Sequence, residues 1–308
     1  MEQNRYDLAV IIVGLNAREY VRGCLASLLR ANMCDRTHEI IYVDNGSTDD
    51  SVLMVQTKFP GVKVIANDRN RGFCEAANQG AAIADSRYYF FLNDDTIVLE
   101  DAIPLLIEVL EAVPTAGMIG SRLLNPDLTD QWSGRRFPSA GNALFGRRSV
   151  LSRFFPNVKV LADYLYKSQL KQGSPFEVDW ISAAALMIRR ESFERVGGFA
   201  EDYYYFHELL ICKRLTERGQ KVMLHPGSRI IHYEGVGSGT RTYTIKKKHI
   251  INFHIGAYRW YCEHYNLHLL NPRRWACAVA VSIRAAALIA AARLRDAFRR
   301  SATSIAAQ

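Results

Sequence analysis

The stretch Tyr88-Tyr-Phe-Phe-Leu-Asn-Asp-Asp-Thr96 decides the fold, because an apolar run ends abruptly in Asn93, Asp94 and Asp95. A short apolar run bounded by a polar turn is typical of a buried strand. Side chains just past such a strand lie at the carboxyl edge of an α/β sheet, where ligands bind. Carboxylates there suit Mg²⁺ or Mn²⁺, which complete their coordination with water and substrate phosphates. The alternative is a turn in which Asp94 or Asp95 caps a helix beginning near Glu100.

Two other apolar runs end in polar residues. Leu8-Ala-Val-Ile-Ile-Val13 leads to Gly14 and Asn16, and Ile40-Ile-Tyr-Val43 leads to the acidic turn Asp44-Asn-Gly-Ser-Thr-Asp-Asp50. Both runs are rich in β-branched residues and predict strands. We therefore expect three strand ends to present polar side chains at one edge of a sheet.

The segments between these strands carry turn and helix signals. Gly46 permits a sharp turn in the acidic segment, where three residues offer caps for the next helix: Ser47, Thr48 and Asp49. The segment Asn70-Arg-Gly-Phe-Cys-Glu-Ala-Ala-Asn78 predicts a helix opened by Gly72, which brings Arg71 near the same edge.

In this order and spacing, the motifs resemble the inverting family 2 glycosyltransferases, most closely the rhamnosyltransferase-like members that build bacterial surface polysaccharides. The matching segments are Val13-Gly-Leu-Asn16, Val43-Asp-Asn-Gly-Ser-Thr-Asp49, Asn70-Arg-Gly-Phe73, Asn78-Gln-Gly80 and Leu92-Asn-Asp-Asp-Thr96. The resemblance covers about residues 8–238. It implies the α/β GT-A fold, in which a mostly parallel nucleotide-binding sheet is fused to an acceptor-binding half. It also implies sugar transfer from a nucleoside diphosphate, with inversion at the anomeric carbon.

The resemblance assigns donor-binding roles to five residues. Asp44 and Asn45 would face the base and ribose, Arg71 would lie by the base, and Asp94 would point toward the ribose. Asn16, after the first strand, is the fifth donor-side residue. The resemblance also implies a dTDP or UDP sugar as donor, with rhamnose as the expected sugar.

The resemblance also implies a metal site for Mg²⁺ or Mn²⁺. Asp95 matches the direct metal ligand of the family's Asp-any-Asp motif. His232 follows the strand Ser228-Arg-Ile-Ile231, opens a glycine-rich loop from Tyr233 to Thr240, and matches the His that approaches the metal and diphosphate. A divalent cation there would stabilise the leaving diphosphate without proton transfer. A purely structural histidine at a strand end is the alternative.

The acceptor half departs from the family pattern. Val178-Asp-Trp-Ile-Ser-Ala183 matches the family segment Asp-Trp-x-Ser-Gly with Ala183 in place of Gly, and puts Asp179 and Trp180 on the acceptor side. Downstream, Ala200 replaces the usual Asp after Gly-Gly-Phe.

The largest departure from the family pattern concerns the catalytic base. The Asp that normally follows Glu208 is missing, and the next family Asp is Leu210. An inverting transfer needs a carboxylate to take the proton of the acceptor hydroxyl, so Glu208 is the expected base. Alternatively, Glu208 caps the helix that runs through Leu215. Neighbouring side chains on a helix point in different directions, so we expect only one of His207 and Glu208 to face the acceptor. A catalytically impaired, nucleotide-sugar-binding protein is the second functional hypothesis. A nicotinamide dehydrogenase is disfavoured, because Val13-Gly-Leu-Asn16 lacks the Gly-x-Gly-x-x-Gly turn.

Composition favours a cytoplasmic enzyme. A chain of 308 residues with 49% hydrophobic content can bury a sizeable core. The N-terminus lacks an apolar signal region, and the six cysteines lack metal-site spacing, which predicts reduced thiols. These are Cys24, Cys34, Cys74, Cys212, Cys262 and Cys277. Residues 125–173 are irregular and rich in arginine and aromatics, including Phe145, Arg147 and Arg148, which predicts an acceptor-side insertion.

The C-terminal region changes character. We predict a catalytic domain over residues 1–240 and a helical, membrane-proximal region over residues 241–308. Trp275 to Ala292 is apolar except for Arg284, and a cluster follows: Arg293, Arg295, Arg299 and Arg300. The central arginine disfavours a bilayer span, so we expect a peripheral or monotopic helix on the inner face of the cell membrane. Packing on the catalytic domain, or on a second copy in a homo-oligomer, is the alternative.

The expected partners follow from these features. They are a nucleotide-sugar donor, a saccharide or lipid-linked acceptor, and a membrane surface. The net charge of +8 would also permit nucleic-acid binding, but no recognition motif supports it.

Overall fold

The computed structural model describes residues 5–33, 35–139, 159–234 and 243–306. Cys34, the arginine-rich part of the predicted insertion from Phe145 to Arg148, and most of the glycine-rich loop after Glu234 lie outside these residues. The chain divides into two compact units. The first, here the sheet unit, comprises Met1–Glu201 and His207–Gly237; the second, the helical unit, comprises Asp202–Phe206 and Ser238–Gln308.

The strands of the sheet unit alternate with helices along most of the chain. The strands are β1 (Tyr6–Gly14), β2 (His38–Asp44), β3 (Lys63–Ala66), β4 (Ser86–Asn93), β5 (Thr96–Val98), β6 (Ala116–Leu124), β7 (Gly134–Arg135), β8 (Phe176–Glu177), β9 (Trp180–Ile181), β10 (Ala185–Arg189) and β11 (Lys221–His232). The helices are α1 (Arg18–Leu28), α2 (Ser51–Lys58), α3 (Phe73–Ile83), α4 (Ala102–Ala112), α5 (Lys159–Tyr164), α6 (Lys167–Gln172), α7 (Arg190–Arg195) and α8 (His207–Thr216).

The main sheet of the described residues has nine strands, with β3-β2-β1-β4-β10-β6-β11-β5 as the bonded order and β8 paired to β11. Strands β3, β2, β1 and β4 are mutually parallel. Strand β10 runs antiparallel to both β4 and β6, so it joins the parallel half to the β6–β11 pair. The three buried strands predicted from sequence are β1, β2 and β4, and they are neighbours.

Helices cover both faces of the sheet. Alternate residues of the central strands, such as Val10, Tyr42 and Phe90, pack into one core with α1, α2 and α4. The other face packs against α3, where a methyl group added at Gly80 would stand 2.5 Å from a side-chain carbon of Ile11. Because the strands are buried on both sides, they are apolar throughout rather than alternating.

The turn after β4 leads to a strand and not to a helix. Strand β5 begins at Thr96 and pairs with β11, and α4 begins only at Ala102. Asp94 and Asp95 therefore do not cap a helix, and that alternative is wrong. The other helix signals hold in part: Gly72 is the N-cap of α3, whereas Asp50 rather than Asp49 is the N-cap of α2.

The helical unit contains α9 (Tyr243–His264) and α10 (Pro272–Ala306), which pack against each other. Within the described residues, Pro272–Asp296 is the one helix segment long and apolar enough to cross a membrane.

Candidate active site

The ends of β1, β2 and β4 form one row at the carboxyl edge of the sheet. In the strand register Gly14 lies opposite Asp44, and Val13 lies opposite Asn93. The polar turns identified in the sequence therefore meet at one place. Ligands of open α/β sheets bind at this edge.

Asp44 is buried, and both oxygens of its carboxylate accept hydrogen bonds. One oxygen accepts N–H groups from Ser47 at 2.8 Å and Gly46 at 3.2 Å, and the other accepts the Tyr42 hydroxyl at 2.9 Å. Burial, followed by the charge of Asp44, raises the pKa of Tyr42, so its hydroxyl stays a donor. Asp44 therefore shapes the turn as well as standing at the site. Sequence reasoning missed Tyr42, since nothing distinguishes it from other strand residues.

Asn16 ties the first turn to the second. Its N–H donates to the Ser47 hydroxyl at 2.8 Å, and its side-chain oxygen accepts the Thr48 N–H at 2.8 Å. Asp49 adds a further link by accepting the Arg18 N–H at 2.9 Å. Together these bonds fix the loops after β1 and β2 relative to each other.

Asn45 and Arg71 hold the third loop. The Asn45 amide donates to Asn70 at 3.2 Å and to the Gly72 carbonyl at 3.1 Å, and its oxygen accepts the Arg71 N–H at 3.0 Å. The Arg71 guanidinium pairs with Glu75 at 2.9 Å. The structure thus joins these two predicted donor residues, with Asn45 buried beneath the loop.

Asp94 lies against Gly14 in a crowded acidic setting. Burial first, then the nearby carboxylates of Asp95 and Asp44, raises the pKa of Asp94 to about 8. The Leu15 N–H donates to it at 3.3 Å. A methyl group added at Gly14 would stand 2.8 Å from an Asp94 oxygen and 2.7 Å from the Tyr42 hydroxyl. Only glycine therefore lets the backbone at position 14 lie this close to Asp94 and Tyr42.

Asp95 and His232 face each other across the β5–β11 pair. The His232 Nε2 lies 3.2 Å from the Asp95 Oδ1, and both side chains are largely buried. That oxygen makes no hydrogen bond. A buried carboxylate oxygen without a donor is costly unless a cation or proton compensates it.

Gln131 fixes the tautomer of His232, that is, which ring nitrogen carries the proton. The Gln131 Nε2 donates to the His232 carbonyl at 2.5 Å, which leaves Gln131 Oε1 to accept from His232 Nδ1 at 2.8 Å. With the proton on Nδ1, Nε2 is an acceptor, and it lies 3.4 Å from the Asn93 amide nitrogen and 3.2 Å from the Asp95 Oδ1. A hydrogen bond to the ring nitrogen that does not bind the metal orients a metal-binding histidine. Sequence reasoning missed Gln131, which lies in the irregular segment and carries no motif.

The Asp95–His232 pair fits a divalent cation with an incomplete protein shell. Among the described residues, no group of three or more His, Cys, Asp or Glu side chains could hold a metal. Two protein ligands suffice for Mg²⁺ or Mn²⁺ when water and substrate phosphates fill the other positions. The unpartnered oxygen of Asp95 is the observation that favours such an ion.

On the predicted acceptor side, Asp179 and Trp180 are engaged within the protein. Asp179 accepts the Phe137 N–H at 2.7 Å and the Tyr166 hydroxyl at 3.0 Å. The Trp180 indole donates to the Arg136 carbonyl at 2.7 Å. These bonds fasten residues 135–137 to β9, so the two side chains position this segment.

Glu208 lies in the first turn of α8 with an oxygen free. Since α8 begins at His207, Glu208 stands inside the helix and not at its N-cap. Its Oε2 is buried, makes no hydrogen bond, and lies 3.5 Å from the His207 Nε2. The imidazole stacks on Phe73 at 5.0 Å, and burial lowers the pKa of His207. The two neighbouring side chains therefore meet rather than diverge, and the carboxylate keeps an acceptor oxygen available.

Comparison with known proteins identifies the family. The family model for glycosyl transferase family 2 matches residues 9–197, which include β1, β2 and β4. The chain belongs to glycosyltransferase family 2. The resemblance of its turns to the rhamnosyltransferase-like members is confirmed by two bacterial relatives.

Both relatives align with most of this chain. An N-acetylglucosaminyl-diphospho-decaprenol L-rhamnosyltransferase of Mycobacterium tuberculosis (strain CDC 1551 / Oshkosh) is 25% identical, over 96% of this chain and 95% of its own. The rhamnosyltransferase WbbL of Escherichia coli (strain K12) is 26% identical, over 73% of this chain and 82% of its own.

Solved structures confirm the GT-A fold. The mannosyltransferase PcManGT from Pyrobaculum calidifontis, in complex with GDP-Man and Mn²⁺, aligns with a TM-score of 0.57 and 18% identity, over 99% of this chain and 81% of that one. GalNAc-T7 with UDP, GalNAc and Mn²⁺ aligns with a TM-score of 0.58 and 17% identity, over 75% and 44% of the two chains.

Proposed function

We propose that this glycosyltransferase transfers rhamnose from a dTDP or UDP donor to a saccharide or lipid-linked acceptor in bacterial surface polysaccharide synthesis. The acidic strand edge carries the proposal, since Asp44, Asp94 and Asp95 converge there with His232. The sugar is suggested by the two rhamnosyltransferase relatives, one of which is named for a diphospho-decaprenol acceptor.

On the donor side, the three linked loops would form a preorganised seat for the nucleotide. Asp44 and Asn45 hold their loops by internal hydrogen bonds, which leaves the rim beside Arg71 to face the base. Asp94, beside Gly14, would accept a ribose hydroxyl. Because the loops are already bonded together, little ordering would be needed on binding.

Asp95 and His232 would hold a Mg²⁺ or Mn²⁺ ion. Such an ion stabilises the charge that develops on the departing diphosphate. Gln131 would keep the His232 Nε2 lone pair directed at the site by holding the proton on Nδ1. Both solved structural neighbours contain Mn²⁺, which supports a divalent cation in this fold.

Glu208 would serve as the general base. In an inverting transfer the acceptor oxygen attacks the anomeric carbon while a carboxylate removes its proton. The Glu208 side chain is 23% exposed and its buried Oε2 accepts no hydrogen bond, so the carboxylate has unused acceptor capacity for that proton. His207 is neutral at physiological pH because burial lowers its pKa, so it would not hold Glu208 in an ion pair.

A catalytically impaired, nucleotide-sugar-binding protein is the second candidate. The observation in its favour is that Leu209 and Leu210, which follow Glu208, are buried and supply no carboxylate. In that case donor binding would persist and transfer would be absent.

The proposed place of action is the cytoplasmic face of the cell membrane, where a lipid-linked acceptor would be presented. The apolar segment Pro272–Asp296 supports membrane proximity by its composition.

A thermal-shift screen of nucleotide sugars tests the proposal. A ligand that binds only the folded state raises stability by about 2.7 kcal/mol at a hundredfold excess over Kd. We expect dTDP- or UDP-sugars to raise the melting temperature with Mg²⁺ or Mn²⁺ and to do so much less in chelator. Hits then enter a transfer assay with a polyprenyl-diphosphate saccharide. No stabilisation by any nucleotide sugar would refute the donor proposal, and stabilisation without transfer to any acceptor would favour the second candidate.

A further inference from the structure

One face of α10 is apolar and uncovered within the helical unit. The segment Pro272–Asp296 has a mean hydropathy of 1.9, and none of its most apolar window is buried. Trp275, Val279, Ile283 and Leu294 are 62%, 57%, 66% and 60% exposed. At about 100° per residue, these four side chains fall within a sector of roughly 100° on one side of the helix.

The opposite side of α10 packs against α9. The less exposed residues on that side are Arg274, Cys277, Ala278, Val281, Ala285 and Ile289. The Arg274 Nε donates to the Tyr258 hydroxyl at 2.9 Å, which anchors one end of the contact. The pairing of the two helices therefore does not need the apolar face.

The central arginine does not lie on that face. The Arg284 guanidinium donates to the His254 Nε2 at 3.3 Å, and His254 Nδ1 in turn donates to the Ile250 carbonyl at 2.7 Å. With Nδ1 protonated, the neutral imidazole accepts from Arg284 and adds no charge. The charge of Arg284 is thus held at the border of the α9 contact, away from Ile283.

The charged residues of α10 are mostly positive. Residues 272–306 contain seven arginines and one acidic residue, Asp296. Arg273, Arg284 and Arg295 are eleven residues apart, about three helical turns, so they line one edge beside the apolar face, while Arg293 falls on the C-terminal end of the face itself, at the same helical angle as Trp275. A stripe of apolar side chains bordered by arginines complements a surface that is apolar inside and anionic at its rim.

We propose that α10 lies in the plane of an anionic membrane surface. Trp275, Val279, Ile283 and Leu294 enter the acyl boundary, while the arginine edge contacts lipid phosphates. A transverse helix would place Arg284 near the bilayer centre, whereas an in-plane helix keeps it among the headgroups. The proposal deepens the proposed function, resting on it only for the reason why the enzyme would need a membrane.

The exposed loop before α10 extends this surface. Leu269 and Leu270 are 66% and 95% exposed, and the Trp275 indole donates to the Leu269 carbonyl at 2.8 Å. An indole with one polar contact and an exposed ring suits the membrane–water interface.

Vesicle flotation of the full-length protein tests the proposal without measuring sugar transfer. The vesicles are phosphatidylcholine alone or with phosphatidylglycerol, at low and high salt. We expect binding to anionic vesicles and roughly tenfold weaker binding for the double variant Val279→Asp/Ile283→Asp. The matched control is Leu29→Asp/Leu53→Asp on the sheet unit, where both leucines are about as exposed, at 64% and 63%. It introduces the same charge and should bind like wild type.

A second measurement separates an in-plane from a transverse helix. A tag after Gln308 is offered to a protease added outside sealed vesicles. The in-plane helix predicts complete removal, and protection of the tag would overturn the proposal in favour of a span. Failure of wild type to float with anionic vesicles would also overturn it. So would a dimer in light scattering that Val279→Asp/Ile283→Asp converts to monomer while leaving vesicle binding unchanged, since a second copy would then cover the face.

Discussion

The Gly14→Ala substitution probes how tightly the donor edge is built. The added methyl group would stand 2.7 Å from the Tyr42 hydroxyl and 2.8 Å from both a Tyr42 ring carbon and an Asp94 oxygen. Tyr42 is fully buried and bonded to Asp44, so it cannot swing aside without breaking that bond. The Asp94 carboxylate or the backbone of β1 must therefore move to make room for the methyl group.

We expect Gly14→Ala to cost about 1–3 kcal/mol of stability, the usual cost of one extra methyl group in a packed site. In a unit of this size each kcal/mol lowers Tm by about 2–4 °C, so the expected loss is roughly 2–12 °C. Donor affinity should fall as well, because the Asp94 oxygen is displaced.

Gly61→Ala is the matched control, since a methyl group there meets no atom within 4 Å. Thermal unfolding and nucleotide titration of the two variants are the assays. If Gly14→Ala matches Gly61→Ala in both Tm and nucleotide affinity, the edge is looser than these distances imply and the packing argument fails.

The remaining predictions concern the base, the metal support and the buried histidines. Glu208→Gln keeps the side-chain shape but cannot take the proton, so transfer should fall roughly 10²- to 10⁴-fold with donor affinity unchanged, and equal activity would move the base elsewhere. Gln131→Leu frees the His232 ring, so Mn²⁺ affinity measured by electron paramagnetic resonance with nucleotide should fall by about 10- to 100-fold, whereas an unchanged spectrum would deny Gln131 this role. Burial lowers the pKa of His207 and His254 below the ordinary 6.5, so the unfolded chain binds protons first as pH falls. The histidines therefore favour the folded state less as the pH falls below about 6.5, whereas Asp94, with its pKa raised to about 8, favours it more. In the variant Asp94→Asn, which removes this opposing group, thermal unfolding should show a lower Tm at pH 5.5 than at pH 7.5; a higher Tm at pH 5.5 would contradict this.

Much of the fold follows from local sequence signals. The runs that became β1, β2 and β4 are apolar because the sheet is buried on both faces, and each ends in a polar turn. Such signals are carried by adjacent residues, so they can be read along the chain. The GT-A fold, confirmed by the solved structures, was predictable from them and from their order.

The short strand β5 and the contacts of His232 could not be predicted from the sequence. Strand β5 has three residues and exists because β11 pairs with it, so no local pattern announces it. Gln131 reaches His232 across 101 positions of the chain. Long-range bonds of this kind depend on tertiary packing, which the sequence pattern alone does not encode.

The direction of several donor-side groups was also not predictable. Asp44 and Asn45 are expected to face the nucleotide, and the structure adds that their side chains also bond the loops around them. A carboxylate or amide in a turn can serve either purpose, since both bind N–H groups equally well. Residue type and spacing place such groups at the edge but do not give their partners.

We propose that donor binding requires a divalent cation held by Asp95 and His232. Calorimetric titration of dTDP-rhamnose, and of UDP-sugars, into wild type and Asp95→Asn, each with Mn²⁺ and with chelator, tests it most directly. We expect wild type to bind the donor with Mn²⁺, and chelator or Asp95→Asn to weaken binding roughly tenfold or more, with the fold retained by circular dichroism. Equal donor affinity for wild type in Mn²⁺ and in chelator would contradict it.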